Sequence, residues 1–239
     1  MLMLFDIDAT LVTTSRSGML ALGDAGRELF GSFEIDGIDF AGRLDPLIIA
    51  DLLRANGRAA DGANTTAMRD GYRRHLTRRL AAPGIARALP GVHGVVERLC
   101  AEPGVTMGLL TGNFEDTGCL KLRACGIDPD RFSVRVWGDE SPHDPPQRHH
   151  LGAVGLERYR KLHAREARAE SVTIIGDTPH DVDCAKRNGA RCLAVATGSY
   201  SAEQLSTAGA DRVVNDMSDV DDVVGWLVGD RGSRMANGQ

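Results

Sequence analysis

Asp6 and Asp8 stand one residue apart in "FDIDAT", directly after the apolar run Met1 to Phe5. Carboxylates that close repel each other by roughly 3 kcal/mol at an effective dielectric of ~20 and a separation of ~5 Å. A nucleophilic carboxylate with a proton carrier two residues on is one use of such a pair. An ordinary aspartate turn is the other. The arrangement recurs in "TIIGDTPHD", where Asp177 ends an apolar run and Asp181 follows four residues later, near the first turn of a helix. Strand-end and helix-cap aspartates also account for this stretch taken alone. Two strand tips with paired acids say more, because Asp6, Asp8, Asp177 and Asp181 can converge on one sheet edge only if a cation offsets their charge. Mg²⁺, which takes oxygen ligands in an octahedral array and keeps several waters, suits that set. A third tip, "LLTGN", offers Thr111, Gly112 and Asn113. Its hydroxyl can donate to a phosphoryl oxygen, or the segment is simply the N-cap of the next helix.

These tips need strands behind them. "LMLF", "VTMGLL", "VTII", "CLAVA" and "RVV" are short apolar runs that end in polar or glycine-containing residues, and "SVRVW" (residues 133–137) is a further candidate. Segments of helical spacing lie between them, so parallel βαβ units and an α/β core with a Rossmann-like parallel sheet are expected. Residues 15–85 break the rhythm: Met19, Leu22, Ala25 and Leu29 recur at helix spacing, as do Tyr72, Leu76 and Leu80, and "DGAN" (61–64) separates two helices. The expected organisation is a core of residues 1–14 and 86–228, an inserted helical unit over 15–85, and a loose polar tail over 229–239.

Bulk properties narrow the function classes. The 239 residues carry a net charge of −5, which disfavours nucleic acid as a partner. No run of ~18 apolar residues suggests a membrane span, and the start does not read as a signal peptide, since Asp6 cuts the apolar run short. The five cysteines include no C-x-x-C pair, so reduced structural thiols and a cytoplasmic location are expected.

In order and strand-tip placement, "DIDAT" (6–10), "LLTGN" (109–113) and "IGDTPHD" (175–181) resemble the haloacid-dehalogenase-like hydrolases, over nearly the whole chain. Residues 15–85 fall where that family places a helical cap, and the likeness is greatest to enzymes of the phosphoglycolate-phosphatase type. The resemblance implies a Mg²⁺-dependent phosphatase acting on a small phosphorylated metabolite. Asp6 would be the nucleophile, Asp8 the acid and base, Thr111 the phosphoryl holder, with Thr10, Gly112 and Asn113 also lining the substrate. Asp6, Asp8 (through its carbonyl), Asp177 and Asp181 would hold the metal. The family's cation ahead of the last motif falls on Arg148; Lys161 lies late in the same helix and reads as solvated, and His149 and His150 as surface or local packing residues. Arg43 in "FAGRLD" (40–45) falls on a cap loop and is a candidate contact for a second anionic group, or an exposed arginine. One departure is Ala9, where the family has glycine. A phosphomutase using the same aspartyl-phosphate, or a non-enzymatic phospho-accepting signalling domain, are the other readings, and a monomer or homodimer is expected.

Overall fold

The computed structural model describes residues 1–229, and at residue 169 the backbone only. The tail expected over 229–239 lies, from residue 230 onward, outside the described residues. The chain opens with β1 (Leu2–Phe5), all four residues of which are buried, as an unbroken apolar run should be when both sheet faces are covered. A two-residue strand, β2 (Val12–Thr13), follows. Three helices come next: α1 (Ser17–Phe30), α2 (Asp45–Ala55) and α3 (Gly62–Leu80). The Asp61 side chain caps α3 by accepting from the Asn64 N–H. The chain then returns along β3 (Arg87–Ala88), antiparallel to β2 with Val12 opposite Ala88. This small ladder was not legible in the sequence, because two residues are too few to show an alternation.

The three helices share one apolar cluster that includes Leu22, Ala25, Ile49, Leu52, Tyr72 and Leu76, with Phe114 entering from outside the insert. Leu29 is not part of it and stands 38% exposed, so the stripe expected on α1 ends a turn early.

After β3 come α4 (Val92–Ala101), β4 (Thr106–Leu110), α5 (Glu115–Ala124), β5 (Val134–Val136) and α6 (Arg148–His163). The chain ends with β6 (Val172–Gly176), α7 (Pro179–Arg187), β7 (Arg191–Val195), α8 (Ala202–Ala208), β8 (Arg212–Val214) and α9 (Val220–Val228). The main sheet runs β5-β4-β1-β6-β7-β8, every pair parallel. Alternation along β1 sends Met3 and Phe5 into one core cluster with Val95 and Leu99, and Leu2 and Leu4 into the other with Leu151 and Val182. Leu2 lies opposite both Thr106 and Val172. The carboxyl ends of β4, β1 and β6 are therefore level, and the chain's progress across the sheet reverses at β1. That is where α/β sheets open a crevice for ligands.

The insert is tied to this crevice by Asp45, the first residue of α2. Its N–H donates to the Gly112 carbonyl at 2.7 Å, and its Oδ2 accepts from the Phe114 N–H at 3.1 Å. Burial lifts the Asp45 carboxyl to about 7, against the pull of Lys121 and of the Phe114 N–H. With a folded value above the ordinary 3.8, the folded chain holds an extra proton between roughly pH 4 and 7. The stability associated with that proton is complete below pH 4 and is lost as the pH rises through 7. Asp45→Asn keeps an acceptor for Phe114 but cannot ionise. Denaturant titrations at pH 5 and pH 8 should show the variant losing less stability than the wild type over that interval, by on the order of 2–4 kcal/mol. An unchanged pH dependence would show that Asp45 is not strained by its burial.

Candidate active site

The loop after β1 delivers Asp6 to the floor of a cavity of about 550 Å³ between the sheet edge and the helical insert. Asp6 is buried, and its Oδ1 has no hydrogen bond, although Arg148 Nη2 lies 3.1 Å away. Arg148 opens α6 and is itself buried; the same Nη2 donates to Asp181 Oδ1 at 2.6 Å, and Nη1 reaches the Gly42 carbonyl at 3.2 Å. Burial works against the guanidinium charge, but Asp181 and Asp6 outweigh it and hold Arg148 above its usual range. Burial pushes Asp6 up to about 6; Arg148 and a hydrogen bond from Thr111 restrain it, while Asp181 and Asp8 push the other way.

Asp177 follows β6 and has no such cation of its own. Burial, then Asp181 and Asp6, lift it to about 8. A carboxylate oxygen from each of Asp6, Asp177 and Asp181 lies within 4.8 Å of the others. Such a hard oxygen set, with an orphaned Asp6 oxygen and a strained Asp177, fits a divalent cation such as Mg²⁺. Asp181 fits least well as a direct ligand: Oδ1 is taken by Arg148, and Oδ2 by the Thr178 N–H and hydroxyl in a capping box that starts α7. A methyl group on Gly198 would stand 1.8 Å from Asp177 Oδ2, so the loop after β7 can close over that carboxylate only with glycine.

Asp8 is held from a direction that sequence reasoning missed. Its Oδ2 accepts from Lys121 Nζ at 2.5 Å and from Asn113 Nδ2 at 2.9 Å. Lys121 also donates to Asn113 Oδ1 at 2.5 Å, and the Tyr72 hydroxyl of α3 is its third neighbour. Burial disfavours the Lys121 charge, but Asp8, Tyr72 and Asp45 more than compensate and raise it above the usual lysine range. The signal lay on α5: Lys121 falls one helical turn after Thr117 and beside Leu122, all on the buried face.

Three expected substrate contacts are committed elsewhere. Asn113 lines the cavity, but its amide is engaged by Asp8, Lys121 and the Thr111 hydroxyl. Thr10 is fully buried and turns its hydroxyl toward Asp177 Oδ1 at 3.4 Å. Arg43 lines the cavity, but its guanidinium is paired with Asp51 at 2.6 Å and with the Asp39 carbonyl at 3.3 Å. Gly112 is where the insert lands, since a Cβ there would meet the Arg43 carbonyl at 2.0 Å. Of the four cations on the cavity wall, Arg16 alone has no carboxylate partner among the described residues. Lys161 is exposed and lies 3.6 Å from Glu157. His149 and His150 make local contacts, with Asp183 at 3.8 Å and the Ser141 hydroxyl at 2.9 Å. Ala9 adopts a left-handed φ of +54°, the conformation for which the family's glycine is suited.

Among the described residues, no helix is long and apolar enough to cross a membrane. A family model described as HAD-hydrolase-like matches residues 149–220. The chain is 27% identical over 235 residues to a phosphoglycolate phosphatase of Rhodospirillum rubrum, covering 93% of this chain and 90% of that one. It is 22% identical over 226 residues to the pyrophosphatase PpaX of Oceanobacillus iheyensis, covering 93% and 95%. Among solved structures, a hydrolase from Pseudomonas syringae superposes with a TM-score of 0.70 at 21% identity, over 94% of this chain and 98% of that one. CbbY from Rhodobacter sphaeroides, solved with phosphate, gives 0.69 at 20% identity, over 92% and 95%. The motif order, the sheet and these relatives agree in making the chain similar to haloacid-dehalogenase-like hydrolases of the phosphoglycolate-phosphatase type.

Proposed function

We propose that this phosphatase is Mg²⁺-dependent and hydrolyses a small phosphorylated metabolite through an aspartyl-phosphate on Asp6. The observation that carries the reading is the Asp6 carboxylate itself. It is buried at a strand tip on a cavity floor, with one oxygen lacking a hydrogen bond and Arg148 fixing its position. An Asp6 oxygen attacks phosphorus, and the bond from phosphorus to the ester oxygen breaks. Asp8 gives its proton to the departing oxygen and then takes one from the water that attacks the aspartyl-phosphate, releasing inorganic phosphate and restoring Asp6. The Thr111 hydroxyl, oriented by Asn113, holds a phosphoryl oxygen. Asp6 and Asp177, with the Asp8 carbonyl, would hold Mg²⁺, and Asp181 supports the set by anchoring Arg148. The bound ion neutralises charge on the phosphoryl oxygens, the main burden in this chemistry. Residues 15–85 act as the lid that excludes water for the first step and admits it for the second. The relatives' names favour hydrolysis over phosphomutase transfer.

Asp6→Asn should abolish turnover with the fold retained, read from phosphate release and circular dichroism; activity in a clean preparation would rule out the nucleophile. Chelation should silence the enzyme and Mg²⁺ restore it. In the metal-free chain Asp177 keeps its proton up to about pH 8, and protons compete with the ion. Mg²⁺ should therefore raise the Tm more at pH 8 than at pH 6, and an equal shift at both would disprove the ligand assignment.

The second anionic group of a substrate would be met by Arg16 and not by Arg43, whose charge is already paired. Arg16→Ala should weaken a carboxylate-bearing phosphomonoester by roughly 1–3 kcal/mol in kcat/KM and barely affect a neutral aryl phosphate. Arg43→Ala should cost both substrates alike. The reverse pattern would restore Arg43 as the contact.

A further inference from the structure

Lys121 serves no step in the chemistry above, yet it is the second buried cation of the cavity wall. Its side chain is 5% exposed, whereas that of its partner Asp8 is 43% exposed. Burying an ammonium to meet a half-solvated carboxylate is a poor way to stabilise a fold, since desolvation commonly exceeds the Coulomb gain. An apolar residue would fill that face of α5 at less cost. Nor is Lys121 placed as a phosphate ligand. An ammonium has three donors, and Asp8 Oδ2, Asn113 Oδ1 and the Tyr72 hydroxyl surround this one.

We propose that Lys121 is a positioning residue for the proton carrier Asp8, an inference that rests on the reading of Asp8 as acid and base. Lys121 Nζ and Asn113 Nδ2 both donate to the same oxygen, Oδ2. Asp8 Oδ1 has no hydrogen bond among the described residues and belongs to a side chain on the cavity wall. The two donors fix the carboxylate's rotation, so that the free oxygen is the one that trades a proton with the ester oxygen and with water. Without the ammonium, Asn113 alone would hold Asp8, and the carboxylate would spend much of its time turned to solvent.

The test uses the full chain with Mg²⁺ and two phosphomonoesters, an alkyl phosphate and 4-nitrophenyl phosphate. The nitrophenolate leaves with little help from an acid; the alkoxide does not. kcat/KM reports the first chemical step, in which the leaving group departs. Lys121→Met should lose at least ten-fold more on the alkyl phosphate than on the aryl one, as Asp8→Asn should. In the Lys121→Met/Asp8→Asn double variant the loss on the alkyl phosphate should equal that of Asp8→Asn alone, because both act through one group. Equal losses of Lys121→Met on the two esters, or additive losses in the double variant, would overturn the proposal and leave Asp8 as acid and base. An Asp8→Asn variant without leaving-group selectivity would overturn the reading of Asp8 and the proposal with it. Lys121→Gln, polar and of nearly the same length, takes the place of Lys121→Met if the latter does not fold, with the same outcomes.

Discussion

The sheet edge is organised by the repulsion among its carboxylates and the short supply of positive charge to meet it. Asp6, Asp8, Asp177 and Asp181 come to one crevice, and among the described residues two buried cations meet them. Arg148 bridges Asp6 and Asp181, while Lys121 takes Asp8. Two formal negative charges remain, and the strain falls on Asp177, which has no cation of its own and is pushed up to about 8. One divalent ion matches that remainder in charge and in ligand chemistry. The division also separates duties. The arginine side carries Asp6, Asp181 and, beside them, Asp177. The lysine side carries Asp8, with the Asn113 amide joining Lys121 and Asp8 to Thr111.

The helical insert meets this edge through contacts of very different strength. Asp45 and Gly112 exchange a buried backbone hydrogen bond, and Phe114 enters the insert's apolar cluster. Farther out, Arg69 reaches Asp139 at 3.1 Å and Asp116 at 3.7 Å, and Arg73 reaches Asp116 at 3.8 Å, all on partly exposed side chains. Pairs of that kind contribute little each. The insert is thus pinned at the foot of α2 and at Tyr72 of α3, whose buried hydroxyl meets Lys121, and is held more lightly by the surface pairs farther along α3.

What the sequence made legible follows from the same physics. Six strands stood out because buried parallel strands are unbroken apolar runs, and the acids at their tips stood out because nothing apolar follows them. Arg148 was readable from its place at the head of a helix. Lys121 was not, because a lysine in a helix ordinarily reads as solvated, and only the burial of its neighbours Thr117 and Leu122 reveals its face. For Arg43 the sequence offers the charge but not its pairing with Asp51, eight residues on in α2 and 2.6 Å away in space. Asn113 and Thr10 have the right types for binding a phosphate, but spend their hydrogen bonds on Asp8, Lys121, Thr111 and Asp177.

Ala9 shows how the edge is kept in register. Its left-handed backbone costs an alanine on the order of 1 kcal/mol that a glycine would not incur. Such a conformation persists only where its surroundings over-determine it. Here the Ala9 N–H donates to the Val12 carbonyl at 2.8 Å, and its carbonyl accepts from the Thr197 hydroxyl at 2.5 Å. Thr197 precedes Gly198, the residue that packs against the Asp177 carboxylate. One short loop after β7 therefore grips both the turn that follows Asp6 and Asp8 and the Asp177 carboxylate. The slightly strained turn after Asp8 is thus held from both sides by fixed contacts, which keep Asp6 and Asp8 preorganised at the sheet edge.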